Sequence, residues 1–228
     1  MANKIKDRVL AKLAEDEDTF VSDIVNEQDL FEQAVWEVAS MLPTRMLVNV
    51  AADPSSPTTS PHALIVHERV LLVLRDDNDA ASGGNLIQCE EIGIEDSWRV
   101  LDTGSIHFAT KTTPVFWVHR KSGASSPEVT VAPDSDHLTV YTYKRQTVGD
   151  GNGELDWDTA TGIDNIPDEA LEAIILRTAE MIMQQKLSKM AVDEEDAEIF
   201  AIYKANLDQL TSSFRDELTL LKKEEIKK

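Results

Sequence analysis

The chain is predicted to be an α+β protein, a helical bundle carrying a small inserted antiparallel β-domain. Apolar residues recur at a helical spacing of about 3.6 residues near both ends of the chain. Between those ends, the runs PVFWVH, EVTVA and LTVYTYK alternate apolar and polar residues as half-buried strands do. Gly/Ser/Pro and Asp/Ser connectors separate the three runs, the composition of tight links between strands.

In chain order, Ile5, Val9 and Leu13 stand at i, i+4 steps and predict a first helix near 3–14, closed by the acidic cluster Glu15–Asp18. Asn26 reads as the N-cap of a second helix over 27–42, with Glu27 and Asp29 in the first turn, where carboxylates favour the helix dipole. Phe31, Val35, Val38 and Leu42 form its buried stripe and Pro43 marks its end. Residues 51–61, with three prolines among small polar residues, read as an exposed connection. Ala63–Glu68 reads equally as strand or helix. Val70–Arg75 and Leu86–Ile92 predict paired strands across a tract with turn signals at Asn78, Gly83 and Gly84. A helical turn is a further reading near Glu95–Val100.

The three alternating runs then predict a meander. Val115, Trp117 and His119 fall on one face, with Phe116 and Val118 on the other. Val129 and Val131 repeat the rule, as do Leu138 and Val140 against Thr139, Tyr141 and Tyr143. Residues 150–164, rich in Gly and Asp, read as a loop. Pro167 suits the first turn of a helix over 167–190, since its missing N–H would have no intrahelical partner there. Leu171, Ile174, Ile175, Ile182 and Leu187 supply its apolar face. A last helix over 194–222 carries Phe200, Tyr203, Leu207, Leu210, Phe214 and Leu221 at steps of three, four and seven. The division that follows is 1–62 for N-terminal helices and linker, 63–148 for the β-domain, and 149–228 for the C-terminal helices.

A length of 228 residues suffices for a true hydrophobic core. The net charge of −20, from 42 acidic and 22 basic residues, argues against a nucleic-acid reader or a binder of anionic membranes, both of which need cations. It suits a surface past which DNA must move without sticking. The bland alternative is solubility alone. Cys89 is the sole cysteine, so no disulfide within the chain is expected. The N-terminus has no apolar run of the signal-peptide kind, and the longest aliphatic run, Val70–Leu74, is too short for a membrane span. A reducing cytoplasm, or a particle assembled there, is the expected setting.

Motifs for phosphate binding, nucleophile elbows, zinc proteases and dinucleotide folds are missing, so no enzyme activity and no cofactor are expected. The nearest approach to a metal loop is Asp150–Asp158. Counted from Asp150, the EF-hand glycine and glutamate positions hold Leu155 and Thr161, so a solvated acidic turn is the expected reading. His62, His67, His107, His119 and His137 share no helical i, i+4 spacing, and no metal site is expected of them. An alternative of another class remains, a small acidic metal-binding protein or enzyme using the 150–158 loop. The stripe on the last helix has two readings, permanent core or docking face for a partner.

ATKTTPVFWVHRKSG, then EVTVAPDSDHLTVYTYKR, an acidic Gly/Asp loop, and IPDEALEAIILRTAEMIMQQKL together resemble head-to-tail adaptor (connector) proteins of tailed bacteriophages. The resemblance rests on Pro114-Val115-Phe116, on Val129-Thr130-Val131-Ala132-Pro133 and on Ile166-Pro167-Asp168, and covers roughly Val70–Leu187. The first and last helices carry no such motif. The resemblance implies a homo-oligomeric, commonly dodecameric ring in the virion neck, joining the portal protein to tail or nozzle proteins. It implies DNA passing through the lumen without specific binding, and no membrane. On that reading the last-helix stripe is the partner interface. Acidic residues on projecting loops, Asp76, Asp77 and Asp79 or Asp150, Glu154, Asp156 and Asp158, would line the channel.

Overall fold

The computed structural model describes residues 4–13, 27–48, 50, 59–64, 68–77, 85–135, 137–144, 155–157, 159–163, 165–193 and 197–223. The chain is an α+β fold that divides into two compact units. One comprises Met1–Val50 with Gln146–Lys228, the other Ala51–Arg145. The first and last parts of the sequence therefore build one helical body, and the β unit is an insertion within it.

The helical unit contains α1 (Ile5–Leu13), α2 (Glu27–Met41), the short α3 (Thr44–Val48), α4 (Leu171–Asp193) and α5 (Ala197–Lys223). α4 is the hub, with α1, α2 and α5 all packed on it. Ala173, Ile174, Ile175, Ala179, Ile182 and Met183 are each 0% exposed. Those residues point to more than one side, so the helix shows no single clean apolar stripe, while Gln184, Ser188 and Lys189 keep part of it in solvent. α2 buries Phe31, Ala34, Val35, Val38 and Ala39. Leu42 N–H still donates to the Val38 carbonyl at 3.1 Å before Pro43 stops the helix. Pro43 also starts α3, its carbonyl accepting from Met46 N–H at 3.0 Å; no apolar period announced this extra turn. Pro167 precedes a 3-10 turn, Asp168–Ala170, that leads into α4. The proposed cap at Asn26 lies outside the described residues.

Buried charge fixes how three helices meet. Arg177 of α4 donates from Nε to Glu37 of α2 at 2.8 Å and from Nη1 to Glu180 at 2.6 Å. The hydroxyl of Thr211, on α5, donates to the other Glu180 oxygen at 2.8 Å. Burial alone would lower the Arg177 pKa, but the hydrogen bonds and charges of Glu180 and Glu37 outweigh it and hold it above its usual value. α1 is tied to α4 by Arg8 and Lys12, both on Glu172, at 3.1 and 2.6 Å.

The β unit contains β1 (His62–Ala63), β2 (Glu68–Asp76), β3 (Leu86–Gln88), β4 (Glu90–Glu91), β5 (Val115–His119), β6 (Glu128–Ala132) and β7 (Leu138–Lys144). They form a four-stranded sheet, β1-β6-β5-β4, and a three-stranded sheet, β3-β2-β7. Phe116, Val129 and Val131 of one sheet meet Val73, Leu138 and Val140 of the other in a shared core with Leu64 and Cys89. Val115, Trp117 and Ala132 face the opposite way and are covered by Val100 and Ala109.

Two expectations are corrected here. The meander is not continuous, because β6 pairs with β5 whereas β7 pairs with β2 in the other sheet. The chain turns that corner at Pro133–Asp134, and the reason is Arg75, which is 0% exposed. Its guanidinium donates to the carbonyls of Pro133 (3.1 Å), Asp134 (3.1 Å) and Asp76 (3.0 Å), pinning the link between the sheets. Leu86–Ile92 is likewise not one strand. Leu86–Gln88 pairs with β2, while Glu90–Glu91 runs parallel to β5, so the larger sheet is mixed. The switch falls at Cys89, whose N–H donates to Val73 at 2.9 Å while the next N–H, of Glu90, donates to Pro114 at 3.0 Å.

Candidate functional site

The last-helix stripe is the first candidate. Leu210, Phe214 and Leu221 are buried, at 6%, 6% and 4% exposure, and α5 lies along α4. Arg177 stands over the Phe214 ring at 5.7 Å, and Lys186 Nζ lies 4.3 Å from the Tyr203 ring centroid. Phe200, Tyr203 and Leu207 are only partly buried. The stripe is thus split: its C-terminal half is helical-unit core, its N-terminal half a partly open seam. Beside it Ile199 and Ile202 are exposed.

The acidic clusters fare differently from one another. Asp76 does not project on a loop. It is the last residue of β2, paired with Leu86 and 6% exposed, and its N–H donates to the His137 carbonyl at 3.1 Å. Asp77 follows it and is occupied in closing the turn, accepting from Asn85 N–H at 2.9 Å and from its side-chain amide at 3.2 Å. Asp79, Asp150, Glu154 and Asp158 lie outside the described residues. Asp156 caps a local turn, accepting from the Thr159 hydroxyl at 2.8 Å.

Around Asp156 the described residues depart from a solvated loop. Leu155 and Trp157 are 2% and 4% exposed. The Gln28 side chain of α2 donates to the Leu155 carbonyl and accepts from Trp157 N–H at 2.8 Å. The Trp157 and Phe31 rings stand 5.7 Å apart, and Ile5 N–H donates to Ala160 at 2.8 Å. The segment is a clasp that joins α1 and α2 ahead of α4. The signal available in the sequence was the pair Leu155 and Trp157 at i, i+2 within an acidic stretch.

Among the described residues no group of three or more His, Cys, Asp or Glu side chains could hold a metal ion, and no helix is long and apolar enough to cross a membrane. Burial pushes the Cys89 thiol up to about 12, against a smaller opposing effect of Arg75. It therefore stays a protonated core side chain at neutral pH. Burial raises the Tyr143 phenol as well.

A further surface escaped the reading of the sequence. A 3-10 turn, Ile94–Asp96, runs into a short helix, Ser97–Leu101, that buries Val100 and turns Ile94, Trp98 and Leu101 outward at 53%, 62% and 57% exposure. Residues at steps of four and three normally form the covered face of a helix; here they form the open one. The loop that follows adds Ile106 at 95% and Phe108 at 38%, beside a cleft of about 350 Å³ that both help to line.

No protein-family model, no curated protein and no solved structure matches this chain.

Proposed function

We propose that the chain is a virion structural protein, a head-to-tail adaptor that forms a homo-oligomeric ring between the portal and the tail of a tailed bacteriophage. The observation that carries this reading is the architecture: a helical unit assembled from both chain ends, with a continuous β unit, Ala51–Arg145, inserted into it. That is the arrangement implied by the resemblance through Pro114-Val115-Phe116, Val129–Pro133 and Ile166-Pro167-Asp168. The net charge of −20 supports it further, since a lumen of the same sign as DNA would not hold the duplex.

In this reading the subunits assemble in the host cytoplasm and reside in the virion neck. The last helix meets the portal or a neighbouring subunit through the partly open Phe200, Tyr203 and Leu207. Like-charged subunits repel, so assembly should strengthen as salt screens them over a Debye length of about 8 Å or less. The test is electron microscopy of phage particles produced from the genome that encodes the chain, labelled with an antibody to it. Label confined to the head–tail junction, with rings of the purified chain favoured by salt, is the expected outcome. Particles without label, and a chain that stays monomeric at every salt concentration, would overturn the proposal.

A further inference from the structure

We infer that the surface formed by Ile94, Trp98, Leu101, Ile106 and Phe108 is a docking site for a polypeptide that carries apolar side chains flanked by lysine or arginine. The surface does not depend on the adaptor reading and stands on three observations.

Its apolar side chains are held out in fixed positions. The helical turn is anchored from below by Val100, which belongs to the cluster with Val115, Trp117 and Ala132. The loop beyond is closed by Ser105 N–H to Asp102 at 2.9 Å, Phe108 N–H to Ser105 at 3.2 Å, and Ala109 N–H to Val100 at 3.0 Å. Gly104 N–H donates to the Asp102 carboxylate at 2.9 Å. Ile106 sits at the tip of this loop with almost its whole side chain in solvent. A grouped apolar surface on an ordered element marks an interaction site more often than chance exposure does. A preorganised one also loses little entropy on binding.

The surface has a place for an anchor. Ile106 and Phe108 border the cleft of about 350 Å³, whose floor includes Val100 and Val115. Trp98 stands beside it, its ring 5.2 Å from the Arg99 guanidinium, and Arg99 lines the cleft. An exposed tryptophan and an arginine beside a cleft of mixed lining are residue types enriched at the energetic centre of protein interfaces.

The charge around it selects the partner. Between residues 86 and 113 stand Glu90, Glu91, Glu95, Asp96 and Asp102 against Arg99 and Lys111. Arg99 is already bound to Asp96 at 3.2 Å. Glu90, Glu91, Glu95 and Asp102 are all exposed, and Glu90 and Asp96 line the cleft itself, so carboxylates outnumber cations on this segment. A second copy of the chain, itself at −20, would bring the same carboxylates against it, and nucleic acid or an anionic bilayer has the wrong sign. A cationic, apolar polypeptide complements both parts.

The experiment titrates full-length protein into three fluorescent probes: a short amphipathic peptide of leucine and lysine, its leucine and glutamate counterpart, and oligolysine. The same titrations use the double variant Trp98→Ser/Ile106→Ser, the single variant Ile106→Ser, and Ile202→Ser as a control on the other unit. Because the altered side chains are exposed, unchanged circular dichroism and melting are expected for all three. The Leu/Lys peptide should bind the native chain, lose about tenfold or more in affinity with the double variant, lose less with Ile106→Ser, and bind Ile202→Ser as the native chain. Oligolysine should bind weakly, with the same salt-sensitive affinity for every form. Equal binding of the Leu/Lys peptide to native and double-variant protein would overturn the inference, assigning that binding to net charge alone. Equally tight binding of the Leu/Glu peptide would also overturn it. So would self-association that the double variant abolishes, since that would give the surface to a second copy.

Discussion

The helical unit and the β unit dispose of their apolar side chains in opposite ways. In the helical unit α1, α2 and α5 all pack on the central α4, and partly buried charge joins helices through Arg177, Glu180 and Glu37. In the β unit the core lies between two small sheets, and apolar side chains are also set outside. Of the eleven large apolar residues exposed among those described, seven belong to the β unit, so that unit is the one built to present a surface. The comparison teaches that one unit spends its sequence on holding itself together. The other gives up some burial for display.

The largest effect should come from removing the cover of α4. Deleting residues 197–228 takes away Leu210, Phe214 and Leu221, each worth roughly 1.5–3 kcal/mol when buried, and leaves Glu180 without Thr211. Circular dichroism should show helix lost beyond the deleted residues. A truncated chain that keeps α1, α2 and α4 fully folded would mean that α5 is an appendage and not core.

Next in size are two arginines, one in each unit: the buried Arg75 and the partly buried Arg177. Arg177→Ala leaves the buried carboxylate of Glu180 without the cation bound to it, and Arg75→Ala strands carbonyls at the corner between sheets. Each should lower stability to urea by roughly 3 kcal/mol. If Arg75→Ala costs under about 1 kcal/mol, the corner is held by something other than the guanidinium.

An effect absent at neutral pH is predicted from Cys89. Its folded pKa lies above that of the unfolded thiol, about 8.5. The unfolded chain therefore releases the proton first as pH rises, and stability present below that point declines between the unfolded value and the folded one of about 12. The slope is about 1.4 kcal/mol per pH unit, and denaturant titrations of native and Cys89→Ala protein between those limits should differ by it. Parallel curves would remove the buried thiol as the cause. The least effect belongs to the display surface: Trp98→Ser should change stability within about 0.5 kcal/mol. A loss several times larger would make Trp98 part of the core and blunt the contrast between the units.

Periodicity carried far into the fold and stopped at the corners. Ile5, Val9, Phe31, Val35 and Val38 announce their helices because each has one covered face. Phe116, Val129, Val131, Leu138 and Val140 announce strand faces for the same reason. Which sheet a strand joins was not legible, because alternation is a property of one strand, whereas the corner ahead of β7 depends on Arg75 reaching two carbonyls far away in sequence, those of Pro133 and Asp134. The candidate sites were less legible still. Asp76 and Asp77 look like loop carboxylates until the register places one in a strand end and the other in a turn. Ile94, Trp98 and Leu101 have the spacing of a buried face, and only the position of Val100 shows which side of the turn is covered.

Placing the β unit within the helical one also orders events during synthesis. α1 and α2 leave the ribosome long before α4, the helix on which both pack. At about 5–20 residues per second, the interval is on the order of ten seconds, during which Ile5, Val9, Phe31 and Val35 have no native partner from α4. The β unit is continuous in the chain and can close in that interval. A nascent chain should therefore acquire its display surface first and its helical body last, when α5 covers α4.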